Sequence, residues 1–228
     1  MRSLNNIIAI SITILLSICI ILTNLQFVAF NNDFYQREFE KYKVENTTGM
    51  DINQLKKTAV RIQDYLSYKV DNLQTDTVIY EKKTKLFNDR ELKHMEDVRI
   101  LFKKGFFLRN ISVAAIFLLI LLMYFINKRL LYNLFNSLFT GMLWMLCIVV
   151  VGVIIISLNF NMWFTYFHLY FFNNNLWQFD VARDKLIQML PEGFFSDAVY
   201  LAAKNSIITF GFILAILYFV KRKLLKPD

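Results

Sequence analysis

Four stretches of the chain carry almost no charge and no polar face at any helical spacing: residues 7–30, 105–126, 138–158 and 199–220. The second holds only Arg109 and the fourth only Lys204, each near its start. Each stretch has about the ~20 residues a helix needs to cross a hydrocarbon core. Helices of a soluble core show a polar side, and these show none, so the pattern predicts four membrane spans. The first run is too long for a signal-peptide h-region of about 7–15 residues, and no small-residue cleavage pattern follows it. Bulky Ile18 before Cys19 also argues against a lipoprotein signal. The run reads as a retained anchor.

Between the apolar runs the periodicity changes. Asp51 is placed to cap a helix in which Leu55, Ala59, Ile62 and Leu66 recur at helical spacing. Thr77-Val78-Ile79-Tyr80 is β-prone and fits one arm of a hairpin. Asn88 begins a second helix with Glu91 as its capping-box partner, and Met95, Val98 and Phe102 share a face. After the third run comes an aromatic segment containing Phe160, Trp163, Phe164, Tyr166, Phe167, Tyr170, Phe171, Phe172 and Trp177, broken by Asn173-Asn174-Asn175. Such a density beside a membrane helix belongs at the interface, where amphipathic rings prefer to sit. Asp180 is expected to cap a short helix ending near Leu190, and Pro191-Glu192-Gly193 to turn the chain.

Composition agrees. In 228 residues the hydrophobic fraction is 56%, with 6 Gly and 2 Pro, against roughly 45–50% apolar for a soluble domain. That excludes collagen-like and low-complexity chains and leaves too few turns for a β-sandwich. Two cysteines, Cys19 and Cys147, both inside apolar runs, support neither a disulfide framework nor a four-ligand zinc site.

The net charge of +8 is distributed as a topology signal. Arg2, Lys128, Arg129, Lys221, Arg222, Lys223 and Lys226, against Asp228 alone, flank one side of the four runs. The long segment 31–104 holds 15 basic and 13 acidic residues, and 159–204 is slightly acidic. Both termini are therefore expected on the cytoplasmic side. The basic balance is not a nucleic-acid footprint. The fold expected is an all-α membrane protein: one integral membrane domain, with mostly helical extracytoplasmic segments 31–104 and 159–198 that have room for a short strand pair.

The chain's two histidines, His94 and His168, both fall on the expected outer side. Imidazole exchanges protons near neutral pH. Glu91 and Asp97 sit one helical turn from His94, at i−3 and i+3, where either could orient the ring. From spacing alone, two unrelated surface histidines are the simpler account. No Gly-x-Ser-x-Gly elbow, His-Glu-x-x-His pair or Gly-rich phosphate loop occurs. No spacing supports a metal site, so no metal or other cofactor is expected. Asn46-Thr47-Thr48 fits a glycosylation sequon, a short pattern of little weight.

Two segments carry a resemblance. Leu86-Phe87-Asn88-Asp89-Arg90-Glu91-Leu92-Lys93-His94-Met95-Glu96-Asp97-Val98 resembles the stretch before the second membrane helix of the lipoprotein intramolecular transacylases, four-helix membrane proteins of low-GC Gram-positive bacteria. Phe167-His168-Leu169-Tyr170-Phe171-Phe172, with Trp177, Asp180, Leu186-Ile187 and Pro191-Glu192-Gly193-Phe194-Phe195, is similar to that family's second signature; Val181 departs from a proline there. The resemblance implies transfer of the sn-2 acyl chain of a diacylglyceryl-modified bacterial lipoprotein to the α-amino group of its N-terminal Cys, in the cell membrane. It maps the family's two functional histidines onto His94 and His168. Asp97, Glu91, Arg90, Arg99 and Trp177 are the candidate supporting residues, with protonated imidazole, Arg90 or Arg99 as possible oxyanion donors. A haem- or metal-binding membrane protein and a non-enzymatic scaffold are the alternatives.

Overall fold

The computed structural model describes residues 2–79, 82–126 and 128–224. Tyr80, at the end of the expected strand, and Lys226 and Asp228 of the charge pattern lie outside the described residues. In chain order the elements are α1 (Arg2–Ala29), α2 (Asn32–Lys41), α3 (Val44–Thr48), α4 (Ile52–Leu66), β1 (Asp76–Ile79), β2 (Lys82–Lys85), α5 (Asp89–Ile126), α6 (Lys128–Leu158), α7 (Phe160–Phe171), α8 (Lys185–Met189) and α9 (Glu192–Leu224). They fall into two compact units.

The first unit comprises Met1–Leu25, Phe106–Leu158 and Tyr200–Asp228, and so holds the apolar parts of α1, α5, α6 and α9. All four helices are long and apolar enough to cross a membrane. Ile8, Ile12, Ile20, Met123, Leu138, Met142, Phe210 and Leu217 form their shared core. The opposite faces are just as apolar: Phe117 is 70% exposed, Phe125 76% and Leu158 81%. Side chains of this kind match hydrocarbon, not water, so this is a membrane-integral bundle. Its buried hydroxyls are satisfied within their own helix, Thr13 donating to the Ala9 carbonyl and Ser17 to the Thr13 carbonyl, both at 2.8 Å. α6 meets α1 at Gly141, where a Cβ would stand 2.7 Å from Thr13 Oγ1, a small residue permitting close helix approach.

The second unit comprises Gln26–Gly105 and Asn159–Val199. Asn31 caps α2 by accepting from the Phe34 amide, and Phe34, Tyr35 and Phe39 are buried, the first two against the Phe194 ring. α4 starts as expected: Asp51 accepts from Asn53 and Gln54, and Gln54 returns a bond to the Asp51 amide. Leu55, Ala59, Ile62 and Leu66 are its buried residues, among others. β1 and β2 pair antiparallel, with Asp76 opposite Lys85 and Ile79 opposite Lys82. The Lys-rich arm β2 carries no β-prone signal; its partner supplies the pairing. At the head of α5, Asn88 Oδ1 accepts from the Arg90 and Glu91 amides, and Glu91 accepts from the Asn88 amide at 2.7 Å.

Two expectations are corrected here. The short helix near Leu190 is α8, and it starts after Asp184, not Asp180. Asp180 makes a turn, accepting from the Ala182 amide, while its own amide donates to Asp184 at 2.7 Å. That closed turn delays the helix by one turn. Pro191-Glu192-Gly193 is likewise not a separate turn, because Glu192 and Gly193 are the first residues of α9. Pro191, lacking an N–H, suits a helix start, and its carbonyl accepts from the Phe194 amide.

Candidate functional site

All the residues that build the site belong to the second unit. His94 stands on α5, one turn past the Glu91 of its capping box, and His168 on α7, one turn from its end. They are 5% and 7% exposed, and so are not surface histidines. Their rings are near-parallel, with centroids 6.0 Å apart. The aromatic segment encloses them. Phe172 and Phe179 meet His94 edge-on at 5.1 and 5.3 Å, Phe164 meets His168 at 4.3 Å, and Trp177 stacks on His168 at 4.8 Å. Several rings expected only to mark a lipid interface therefore wall a site.

The walls set the electrostatics. Burial pushes the His94 pKa down to about 4, helped by nearby His168 and opposed by the negative charge of Asp97. Burial also lowers His168, opposed by its hydrogen bond to the Phe164 carbonyl. Both rings are thus neutral near pH 7. The 2.7 Å bond between His168 Nδ1 and the Phe164 carbonyl fixes a tautomer. A carbonyl only accepts, so Nδ1 carries the proton and Nε2 carries the lone pair. His94 Nδ1 is buried without a hydrogen-bond partner among the described residues.

The expected carboxylate partners are committed elsewhere. Glu91 is 1% exposed and accepts from the Asn88 amide and, at 2.6 Å, from the Leu186 amide in the first turn of α8. Asp97 accepts from Asn174 Nδ2 at 2.9 Å, and Asn174 Oδ1 takes the Leu176 amide at 3.0 Å. Asp97 reaches His94 only through its charge. Arg90 donates to the Asn175 carbonyl at 2.6 Å and the Leu176 carbonyl at 3.4 Å. Arg90 and Asp97 therefore hold from one helix the loop that delivers Trp177. Arg99 lies over the rings of Tyr65 and Tyr68 and binds the Val70 carbonyl and Asp71. It braces α5 against α4 and the loop after it, away from the imidazoles.

The structure brings together His94, His168 and Trp177, each a candidate from the sequence, while Arg90 and Asp97 hold the loop rather than the rings. The sequence missed Phe164, whose backbone fixes the His168 tautomer, and Asn174, read only as a helix breaker. A threefold Asn run between an aromatic helix and a lone Trp was the available signal, since Asn bonds locally where helices stop. Among the described residues no group of three His, Cys, Asp or Glu side chains could hold a metal. What the arrangement offers is a neutral base, a second neutral imidazole and a dry, aromatic enclosure.

The family model described as "Lipoprotein intramolecular transacylase Lit" matches residues 10–195. Among curated proteins, none matches the chain. Among solved structures, the chain is similar to the membrane-integral lipoprotein intramolecular transacylase Lit from Bacillus cereus, at 19% identity and a TM-score of 0.77, covering 98% of each chain. Two forms of that protein with a histidine replaced are similar too, both at 19% identity. With alanine the TM-score is 0.76, covering 99% of this chain and 97% of that one; with arginine it is 0.73, covering 97% and 95%. At this identity the likeness bears on the fold, which it matches over nearly its whole length.

Proposed function

The chain belongs to the lipoprotein intramolecular transacylase family, and from that membership we propose a specific reaction, carried out by His94 and His168. It is an acyltransferase and a membrane-integral protein with four candidate spans. Its substrate is a bacterial lipoprotein whose N-terminal Cys carries a diacylglyceryl thioether. The sn-2 acyl chain moves to the α-amino group of that Cys, leaving a lyso-form lipoprotein. Both termini are cytoplasmic and the histidines act on the outer face, as the basic flanks Lys128, Arg129, Lys221 and Arg222 support.

The observation that carries this reading is the pair of buried imidazoles with centroids 6.0 Å apart, one with its tautomer fixed. An α-amino group has a pKa of about 7.7–8.0, so only a minority is neutral at pH 7 and able to attack, and the reaction needs a base to take up its protons. As its nitrogen attacks the ester carbonyl carbon, its remaining protons become acidic. His168 Nε2, holding the free lone pair, takes one. A base held neutral by burial is always ready, and its weak basicity returns the proton readily. His94 gives a proton to the departing glyceryl oxygen, and exchange between the neighbouring rings restores both. The net change is one proton moved from nitrogen to oxygen, with no covalent enzyme intermediate. Attack within one molecule, through a ring of about eight atoms, gains its rate from the enclosure that folds the lipid.

The test is fragmentation mass spectrometry of lipoprotein N-termini from cells with and without this protein, and with His94→Ala or His168→Ala. The acyl chain should lie on nitrogen only where both histidines are present. Transfer that survives either substitution at the wild-type rate would remove that residue from the mechanism.

A further inference from the structure

We propose that the indole N–H of Trp177 donates the hydrogen bond that stabilises the oxyanion of this acyl transfer, an inference that rests on the transacylase reading above. Attack of the amine on the sn-2 ester carbonyl forms a C–N bond and drives the carbonyl π pair onto oxygen. That oxygen then re-forms C=O as the bond to the glyceryl oxygen breaks and the amine proton passes to the departing oxygen. The intermediate needs a donor aimed at its oxygen, placed in advance and kept dry.

The cationic candidates are directed elsewhere. Arg90 gives its Nε and Nη2 to the Leu176 and Asn175 carbonyls, and the Arg99 guanidinium lies over the Tyr65 and Tyr68 rings with its Nη2 on Asp71 and the Val70 carbonyl. Burial leaves both imidazoles neutral at working pH. Trp177 has the opposite character. Its ring stacks on His168 with centroids 4.8 Å apart and planes 28° from parallel. Its Nε1 is buried and has no hydrogen-bond partner among the described residues. An indole nitrogen only donates, so it is a dry donor awaiting an acceptor beside the base. Native structures rarely leave such a group unmet: ordered water, a ligand or the reaction meets it. The loop that carries it is held by Asp97 through Asn174, by Asn174 to the Leu176 amide and by Arg90 to two carbonyls, so the donor is positioned before substrate arrives.

The experiment uses the full-length protein in lipid nanodiscs with a synthetic diacylglyceryl-Cys lipopeptide. Position 177 is changed in two ways: Trp177→Phe, and replacement of Trp177 by benzothienylalanine, which keeps the shape and stacking of indole with sulfur in place of N–H. Both should lower kcat by about 10²-fold, as loss of one oxyanion donor does. KM should stay near the wild-type value, and the pH midpoints should not move. A phosphonate lipopeptide that mimics the tetrahedral oxyanion should lose affinity by the same factor as kcat. A benzothienylalanine protein that turns over at the wild-type kcat overturns the proposal, even if Trp177→Phe is slow, because ring shape would then be the whole effect. Wild-type protein that moves no acyl chain removes the transacylase reading itself, and the role of Trp177 with it.

Discussion

The carboxylate of Glu91 joins two helix starts, taking the Asn88 amide at 2.7 Å with one oxygen and the Leu186 amide at 2.6 Å with the other. Helices leave their first amides unpaired, and a carboxylate is a strong acceptor for them. One side chain thereby fixes the α5 segment that carries His94 to α8, while Asn88 Nδ2 adds a second tie to Asp184 at 2.8 Å. Glu91 is 1% exposed, so water cannot substitute for it.

Glu91→Ala should therefore cost stability by at least one charged hydrogen bond, about 1.5–3 kcal/mol. Glu91→Gln keeps one acceptor oxygen and should cost less. Thermal midpoints in detergent give the order. Activity should follow folded fraction, with the pH profile unmoved. A Glu91→Ala protein as stable as wild type would mean that α8 is held by other contacts.

Asp97 is spaced to orient His94, and the geometry gives it a different task, accepting from Asn174 Nδ2. Asp97→Ala should release Asn174 and the loop before Trp177, lowering kcat while the protein stays folded. Asp97→Asn keeps an oxygen for Asn174 Nδ2 and should retain more activity. Because the Asp97 charge raises the His94 pKa, both changes should lower it further. Histidine Cε1 NMR titration reads that shift, and an upward movement would contradict the placement.

Gly193 shows how closely the second unit is packed. A Cβ there would lie 2.4 Å from Tyr42 Oη and 2.5 Å from Cζ, so the whole ring would have to move. Tyr42 would then lose its 2.7 Å bond to Asp197. Gly193→Ala should destabilise by about 1–3 kcal/mol, the usual cost of overpacking. If the thermal midpoint does not fall, the Tyr42 ring has room that this packing denies it.

The four spans were legible because uninterrupted hydrophobicity over about 20 residues has one common physical outcome. The caps at Asp51 and Asn88 were legible because local chemistry fixes them. Asp180 misled because Asp184, four residues on, closes its turn, a competition that residue type does not rank. The histidine pair needed two motifs 74 positions apart, and spacing alone argued for separate surface residues. Its dry setting comes from Phe164, Phe172, Phe179 and Trp177 meeting in space, and aromatic residues read one by one point to the bilayer.

His94→Ala and His168→Ala should each cut acyl migration by about 10²–10⁴-fold, as loss of a general acid or base does. Stability should fall by no more than about 0.5–3 kcal/mol. If the rings act as one relay, the double variant should be barely slower than either single one. Fully additive losses would show that they act independently.

Acid and base limbs of stability should oppose each other through two buried groups of the second unit. Burial, then the nearby Asp197 carboxylate, push Glu38 up to about 7, with Lys41 and Arg37 opposing. Unfolded, a glutamate titrates near about 4.3. Between those values the folded chain keeps a proton that the unfolded chain has lost, so this contribution is full at low pH and disappears as pH rises through about 7. His94 has the opposite sign. Its folded pKa of about 4 lies below the ordinary value, so the unfolded chain binds the extra proton and stability rises with pH through that interval. Between pH 5 and 7 the two partly cancel. Glu38→Gln removes the first, since an amide of nearly the same shape does not titrate. The variant's thermal midpoint should therefore climb more steeply from pH 5 to 7 than that of the wild type. Parallel curves would mean that Glu38 is ionised throughout.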